Sequence, residues 1–165
     1  IEREVMPFER RTMSHAERQA IQDKAKANGF WLLDVPEELG GQGLGFLGMA
    51  VFWHEVSRTI AIPARDHSLF GPTIGPILMS LSGELRERYL NPVLAGEKFA
   101  CFAQTEPDAG SDPAAMRTRA VRRGDRYVIN GTKRFITHAE KADFAQVIAC
   151  TDPAKGARGG ISCFL

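Results

Sequence analysis

The pattern of apolar and polar positions divides the chain into a first part punctuated as helices and a second punctuated as strands. Ser14 followed by Glu17 has the form of a capping box, Ala16, Ala20 and Ile21 recur near helical spacing, and Asn28-Gly29 supplies a stop. Residues 30–35 form a short strand candidate ending at Val35-Pro36. After a glycine-rich stretch, residues 46–58 set Met49, Ala50, Phe52, Trp53 and Val56 around most of a helix, which predicts a well-buried one. Pro76 suits the first turn of a helix within the apolar run 74–81, and Ser82 suits the N-cap of another running through Tyr89. Pro92 then predicts a break or restart.

From Phe99 onward the apolar runs shorten. Residues 126–129, Asn130-Gly131 and 132–137 predict a hairpin with a type I′ turn, because Asn-Gly tolerates the positive φ values that turn needs. That register would pair Val128 with Lys133 and set Phe135 and Thr137 on one face of the second strand. Residues 144–149, ending at Asp152-Pro153, and 161–165 predict two more strands. Helices first and strands second argue for α+β, with a helical unit over 1–98 and a β-rich unit over 99–165.

Composition removes some alternatives. Lys+Arg of 21 against Asp+Glu of 20 gives a net charge of +1, so no overall field favours nucleic acid or an anionic membrane, and no apolar run is long enough to span one. Cys101, Cys150 and Cys163 sit among apolar neighbours without a C-x-x-C pair, as buried free thiols of a reducing compartment do. His15, His54, His67 and His138 are scattered, so no metal-site spacing exists and the histidines read as surface or packing residues. The chain starts without methionine and stops inside a strand-like run, the pattern expected of part of a longer polypeptide.

Two stretches invite a chemical reading. Gly43-Leu-Gly-Phe-Leu-Gly48 has the G-x-G-x-x-G spacing of a dinucleotide-binding turn. The nearest strand candidate ends seven residues too early for that tight turn, and the expected acidic residue, Asp66, follows the poor strand sequence Ile60-Ala61-Ile62-Pro63. The stretch reads better as a glycine-rich lead-in to a buried helix. Cys101-Phe-Ala-Gln-Thr-Glu-Pro-Asp-Ala-Gly-Ser-Asp-Pro113 is dense in turn formers, and such a loop can aim backbone N–H groups and the Thr105 and Ser111 hydroxyls at an anion or a heteroaromatic edge. The plain alternative is a capped turn whose acids, Glu106, Asp108 and Asp112, are solvated.

Four stretches in order give the chain a resemblance to the acyl-CoA dehydrogenase family: Val-Pro-Glu-Glu-Leu-Gly-Gly-Gln-Gly-Leu-Gly at 35–45, Arg-Tyr-Leu-Asn-Pro-Val-Leu-Ala-Gly-Glu at 88–97, Phe-Ala-Gln-Thr-Glu-Pro-Asp-Ala-Gly-Ser-Asp at 102–112, and Tyr-Val-Ile-Asn-Gly-Thr-Lys-Arg-Phe-Ile-Thr at 127–137. The last two are the specific ones. The resemblance implies a helical N-terminal domain and a partial antiparallel, barrel-like β middle domain, cut before a C-terminal helical bundle. It implies FAD as cofactor, an acyl-CoA substrate, an electron-transfer flavoprotein partner and a homo-oligomer, dimer or tetramer, when full length. Its location would be cytoplasmic in a bacterium or the mitochondrial matrix in a eukaryote.

By that resemblance, Phe102, Ala103, Gln104 and Thr105 run along the flavin, with Thr105 at its pyrimidine edge. Gly110 and Ser111 lie near the pyrophosphate, Ser111 also borders the acyl-CoA, and Phe135, Ile136 and Thr137 contact the flavin, Thr137 near N5. Phe135 stands where relatives often have tryptophan, and Gln104 where a small or aliphatic residue is common. The implied reaction removes an α proton to a carboxylate and passes a β hydride to flavin, giving a trans-2-enoyl-CoA. No glutamate here occupies the base motif, so this stretch of chain is expected to be inactive alone. An oxidase or monooxygenase on the same fold, or a non-catalytic binding module, would carry the same signatures.

Overall fold

A computed structural model describes residues 1–62 and 69–165. The chain forms two compact units, Ile1–Glu97 and Lys98–Leu165.

In the first unit, α1 (His15–Ala27) begins with a complete capping box: Glu17 N–H donates to Ser14 Oγ at 3.3 Å, and Ser14 N–H donates to the Glu17 carboxylate at 2.9 Å. Its inner face carries Ile21 and Ala25, and Ile21 packs with Val5 and Leu69 in a small core flanked by Phe8, Met13 and Phe70. The helix ends at Asn28, as Asn-Gly predicts. Residues 30–35 are not a strand. Leu32, Leu33 and Val35 are buried on an irregular segment that turns at Leu32, where φ is 55°.

The segment after it settles the glycine-rich stretch. Gln42, Gly43 and Leu44 donate their N–H groups to the carbonyls of Leu32, Val35 and Leu33 at 3.1, 2.9 and 2.7 Å, and Gly41 donates to Pro36 at 3.1 Å. These four amides are bonded within the loop and are not offered to a phosphate. The stretch is a packed lead-in to α2 (Phe46–Val56), and the Asp66 expectation lies outside the described residues.

Helix α2 corrects one expectation. Its apolar sequence predicts burial, yet Phe46 is 94% exposed, Leu47 78% and Val51 60%, and only Val56 is buried. Composition reports that a surface is apolar, not what covers it. Pro76 opens α3 (Pro76–Met79), and Ser82 precedes α4 (Gly83–Leu85) without a side-chain cap bond. Pro92 marks a restart rather than a break. A π turn over Arg86–Leu90 leads directly into α5 (Asn91–Ala95), and its wider winding relieves the clash a proline ring makes with the carbonyl of an α turn.

The second unit is built on a five-stranded sheet. Strands β1 (Ala100–Ala103) and β4 (Phe144–Cys150) pair in parallel, β2 (Arg119–Arg123) and β3 (Arg126–Asn130) form an antiparallel hairpin, and β5 (Ile161–Phe164) pairs antiparallel with β4. β2 joins β4 through one parallel pairing, Arg119 with Cys150, so the sheet is mixed where the sequence suggested an antiparallel arrangement. Cys101, Ala103, Met116, Ala120, Ile148, Ala149 and Cys150 are buried in this unit.

The predicted hairpin is displaced. Its turn is Gly124-Asp125, with φ 64° at Gly124, and Val128 pairs with Val121, not Lys133. A Gly-X two-residue turn closes the ribbon as well as Asn-Gly would. Residues 131–143 leave the sheet, and Phe135 adopts φ 56°. The alternation argument therefore does not place Phe135 and Thr137 on one strand face.

Candidate functional site

The released segment after β3 returns to the loop that follows β1, and three bonds hold it there. Lys133 Nζ donates to the Gln104 carbonyl at 2.9 Å and pairs with Glu106 Oε1 at 2.8 Å, while Arg134 N–H donates to the Thr105 carbonyl at 2.9 Å. The side chains of Lys133 and Glu106 are only 12% and 4% exposed, so this is an interior ion pair. Glu106 also accepts from Arg117 N–H at 2.7 Å and from Thr118 N–H at 3.1 Å. Burial alone would raise the Glu106 carboxyl. The bonds from Lys133, Thr118 and Arg117 outweigh it and hold the group down at about 2.

The solvated-acid reading therefore fails for Glu106, though it holds for the other two acids. Asp108 makes an exposed pair with Arg117 at 3.0 Å, and Asp112 accepts from Ala114 N–H at 2.9 Å to cap the turn Pro113–Ala115. Sequence reasoning missed the Glu106–Lys133 pair because its partners are 27 residues apart and neither has a local signature. The loop is braced again at its far end, where Gln104 Nε2 donates to the Gly110 carbonyl at 3.1 Å and Glu106 N–H donates to the Ala109 carbonyl at 2.7 Å.

Among the nominated residues, Gln104, Thr105 and Gly110 thus share one loop, and Phe135 follows the two residues that pin it. Phe102 is exposed on β1 and Ala103 buried beside it. Phe135 is 79% exposed with the Arg134 guanidinium 4.0 Å above its ring. Ile136 and Thr137 come next, but among the described residues no hydrogen bond joins them to the loop; the Ile136 carbonyl accepts from Ala139 N–H at 3.3 Å in a separate turn. Among the described residues, the N–H groups of Thr105, Gly110, Ser111, Ile136 and Thr137 and the hydroxyls of Thr105, Ser111 and Thr137 engage no acceptor or donor of the chain.

That donor set suits a ligand with a flat ring, a polar ring edge and an anionic group. Unengaged amides and hydroxyls can satisfy oxygen and nitrogen acceptors, and an exposed aromatic held in a left-handed backbone conformation can lie against a ring face. Among the described residues no group of His, Cys, Asp and Glu could hold a metal ion, and no helix is long and apolar enough to cross a membrane.

Comparison with known proteins agrees with this division of the chain. Residues 1–97 match the family model "Acyl-CoA dehydrogenase, N-terminal domain" and residues 101–165 match "Acyl-CoA dehydrogenase, middle domain". The chain is 41% identical over 151 residues to the caffeyl-CoA reductase-Etf complex subunit CarC of Acetobacterium woodii, covering 89% of this chain and 39% of that protein. It is 44% identical over 141 residues to the human mitochondrial short-chain specific acyl-CoA dehydrogenase, covering 83% of this chain and 33% of that protein. Among solved structures, a probable acyl-CoA dehydrogenase from Mycobacterium abscessus aligns with a TM-score of 0.74 at 34% identity over 99% of this chain and 44% of its own. The FAD complex of PigA aligns with a TM-score of 0.68 at 32% identity over 93% and 39%. The chain therefore spans well under half the length of these relatives.

Proposed function

The chain belongs to the acyl-CoA dehydrogenase family, and from that premise we propose that it forms the FAD- and acyl-CoA-facing part of an enzyme that dehydrogenates the α,β bond of an acyl-CoA thioester. The observation that supports this most directly is the joining of the Gln104–Gly110 loop to the Lys133–Phe135 segment, which leaves a set of unengaged donors beside an exposed aromatic ring. A relative described as an FAD complex supports the choice of cofactor.

When bound, FAD supplies the two-electron acceptor that no side chain of this protein provides. The Thr105 N–H and hydroxyl would satisfy acceptors on the ring's polar edge, and Phe102, Ala103, Gln104 and Ile136 would line it. Phe135 would cover a ring face, and Thr137 would add a hydroxyl near the reacting nitrogen. The Gly110 and Ser111 amides suit a pyrophosphate, and the Ser111 hydroxyl a neighbouring acyl-CoA. Glu106 is no candidate for the base that takes the α proton. Its carboxylate is locked by Lys133 and two amides and held at about 2, far below the range a general base needs.

For the electron acceptor we propose an electron-transfer flavoprotein, supported by a relative named as the subunit of an Etf complex. Anaerobic titration tests the whole reading: the purified protein carrying this chain should be yellow and should bleach on addition of a saturated acyl-CoA. Rapid peroxide release in air without a protein acceptor would move the assignment to an oxidase. A colourless protein that FAD cannot reconstitute would remove it.

A further inference from the structure

The Lys133–Glu106 pair lies in the interior of the second unit. A lysine withdrawn to 12% exposure carries a desolvation cost that an apolar pair of similar volume would avoid, so its retention calls for an account beyond packing. The second contact of Lys133 suggests one. Lys133 Nζ donates at once to the carboxylate of Glu106 and to the backbone carbonyl of Gln104. The Gln104–Thr105 peptide is trans, so its carbonyl and the Thr105 N–H point to opposite sides. With Lys133 drawing the carbonyl inward, the Thr105 N–H is turned outward, and it meets no acceptor of the chain among the described residues. The next carbonyl, of Thr105, is held by Arg134 N–H, so the peptide cannot rotate without breaking a second bond.

We propose that Lys133, held in place by Glu106, is a positioning residue that orients the Thr105 N–H toward the ligand edge. The proposal rests on the FAD reading for the identity of that ligand, but its geometry does not. Lys133 touches neither cofactor nor substrate in this scheme; it sets the direction of a donor that does. Glu106 supplies the opposite charge that allows an ammonium to stay beneath the loop, and its bonds from Arg117 and Thr118 fix where that charge lies.

Two measurements test it. In the ligand-free protein, hydrogen exchange at the Thr105 amide should be fast, because the group has no internal acceptor, and FAD should slow it. Slow exchange without FAD would mean that the amide is already bonded inside the protein and would overturn the proposal whatever the cofactor is. The second measurement uses the double variant K133M/E106Q. It removes both buried charges and keeps an amide oxygen to accept from Arg117 and Thr118, so a folded protein is expected, with a thermal transition close to that of the parent. Its FAD affinity should fall about tenfold, the worth of one misdirected hydrogen bond, and the flavin absorption band should shift. K133R, which keeps a cation beside Glu106, should recover part of the affinity.

Unchanged affinity and spectrum in a folded double variant would reduce the pair to a structural role. A wild-type protein that binds no FAD, with fast Thr105 exchange, would instead overturn the functional reading and the assignment of the donor to that cofactor. If the double variant does not fold, the exchange measurement on the wild type still decides the orientation.

Discussion

Gly131 approaches Thr118 so closely that a Cβ placed on it would lie 2.6 Å from Thr118 Cα and closer still to the Thr118 hydroxyl. Thr118 is almost completely buried and its N–H donates to Glu106, so it has no room to move without disturbing the interior ion pair. The glycine that reads in the sequence as a hairpin turn is required for this close approach instead. Gly131→Ala should destabilise the second unit by about 2 kcal/mol, the scale of overpacking a closed site. Urea unfolding followed by far-UV circular dichroism checks it, and an unchanged midpoint would contradict the packing shown.

Glu106 makes stability depend on pH in a defined direction. Its carboxyl is held at about 2 in the folded protein, below its ordinary value, so folding is favoured by its ionised form. The stabilisation is fully present above the unfolded pKa and is lost as pH falls from roughly 4.5 toward 2, at up to roughly 3 kcal/mol for the whole shift. Glu106→Gln should flatten stability over that interval. It should also lower stability near neutral pH by roughly 3 kcal/mol, because Lys133 is left buried without its counter-charge. Chemical unfolding at pH 3, 5 and 7 distinguishes the two effects.

At the start of α1, Ser14→Ala removes the side-chain half of the capping box and leaves Glu17 N–H without its partner. The cost should be about 1 kcal/mol. Ser14→Asp should recover most of it, since a carboxylate accepts the same bond. An unchanged unfolding midpoint in Ser14→Ala would show that the cap contributes nothing here.

What was legible in the sequence and what was not follow from the range of each signal. The capping box, the Asn28 stop, the helical start at Pro76 and the strands at 144–150 and 161–164 are set by neighbours a few residues apart, and the chain forms them where those neighbours lie. The hairpin at Asn130-Gly131 failed because two glycine turns six residues apart competed, and the return of Lys133 to Glu106 and Gln104 and of Arg134 to Thr105 goes with the earlier one. That return is a pairing across more than twenty residues with no periodicity to announce it. The loop and its hydroxyls were legible as turn chemistry, but the burial of Glu106 was not.

The exposed face of α2 gives a prediction opposite in sign to the one its composition suggests. Phe46 and Leu47 lie outside the core, so Phe46→Ser and Leu47→Ser should each change the stability of this chain by less than about 0.5 kcal/mol. Both should lower binding of an apolar dye, because they interrupt an exposed apolar surface. Val56→Ser, on the same helix but buried, serves as the contrast and should destabilise the unit measurably.

The glycine-rich lead-in to α2 offers a comparison between two of its own positions. Gly43 has φ 58°, and a Cβ there would meet only the flexible Glu37 side chain, at 3.3 Å, so Gly43→Ala should cost about 1 kcal/mol through backbone strain alone. At Gly41 a Cβ would stand 2.6 Å from the carbonyl carbon of Val35, whose oxygen accepts the Gly43 N–H, and backbone cannot yield as a side chain does. Gly41→Ala should therefore lower the unfolding midpoint more than Gly43→Ala. A dinucleotide turn would show the reverse dependence on its first motif glycine, with cofactor affinity falling sharply at Gly43 while folding held. Measuring both unfolding midpoints and FAD affinity in the two variants separates the alternatives, and the bonds already made by the amides of Gly41, Gln42, Gly43 and Leu44 favour a loss of folding with affinity kept in the molecules that remain folded.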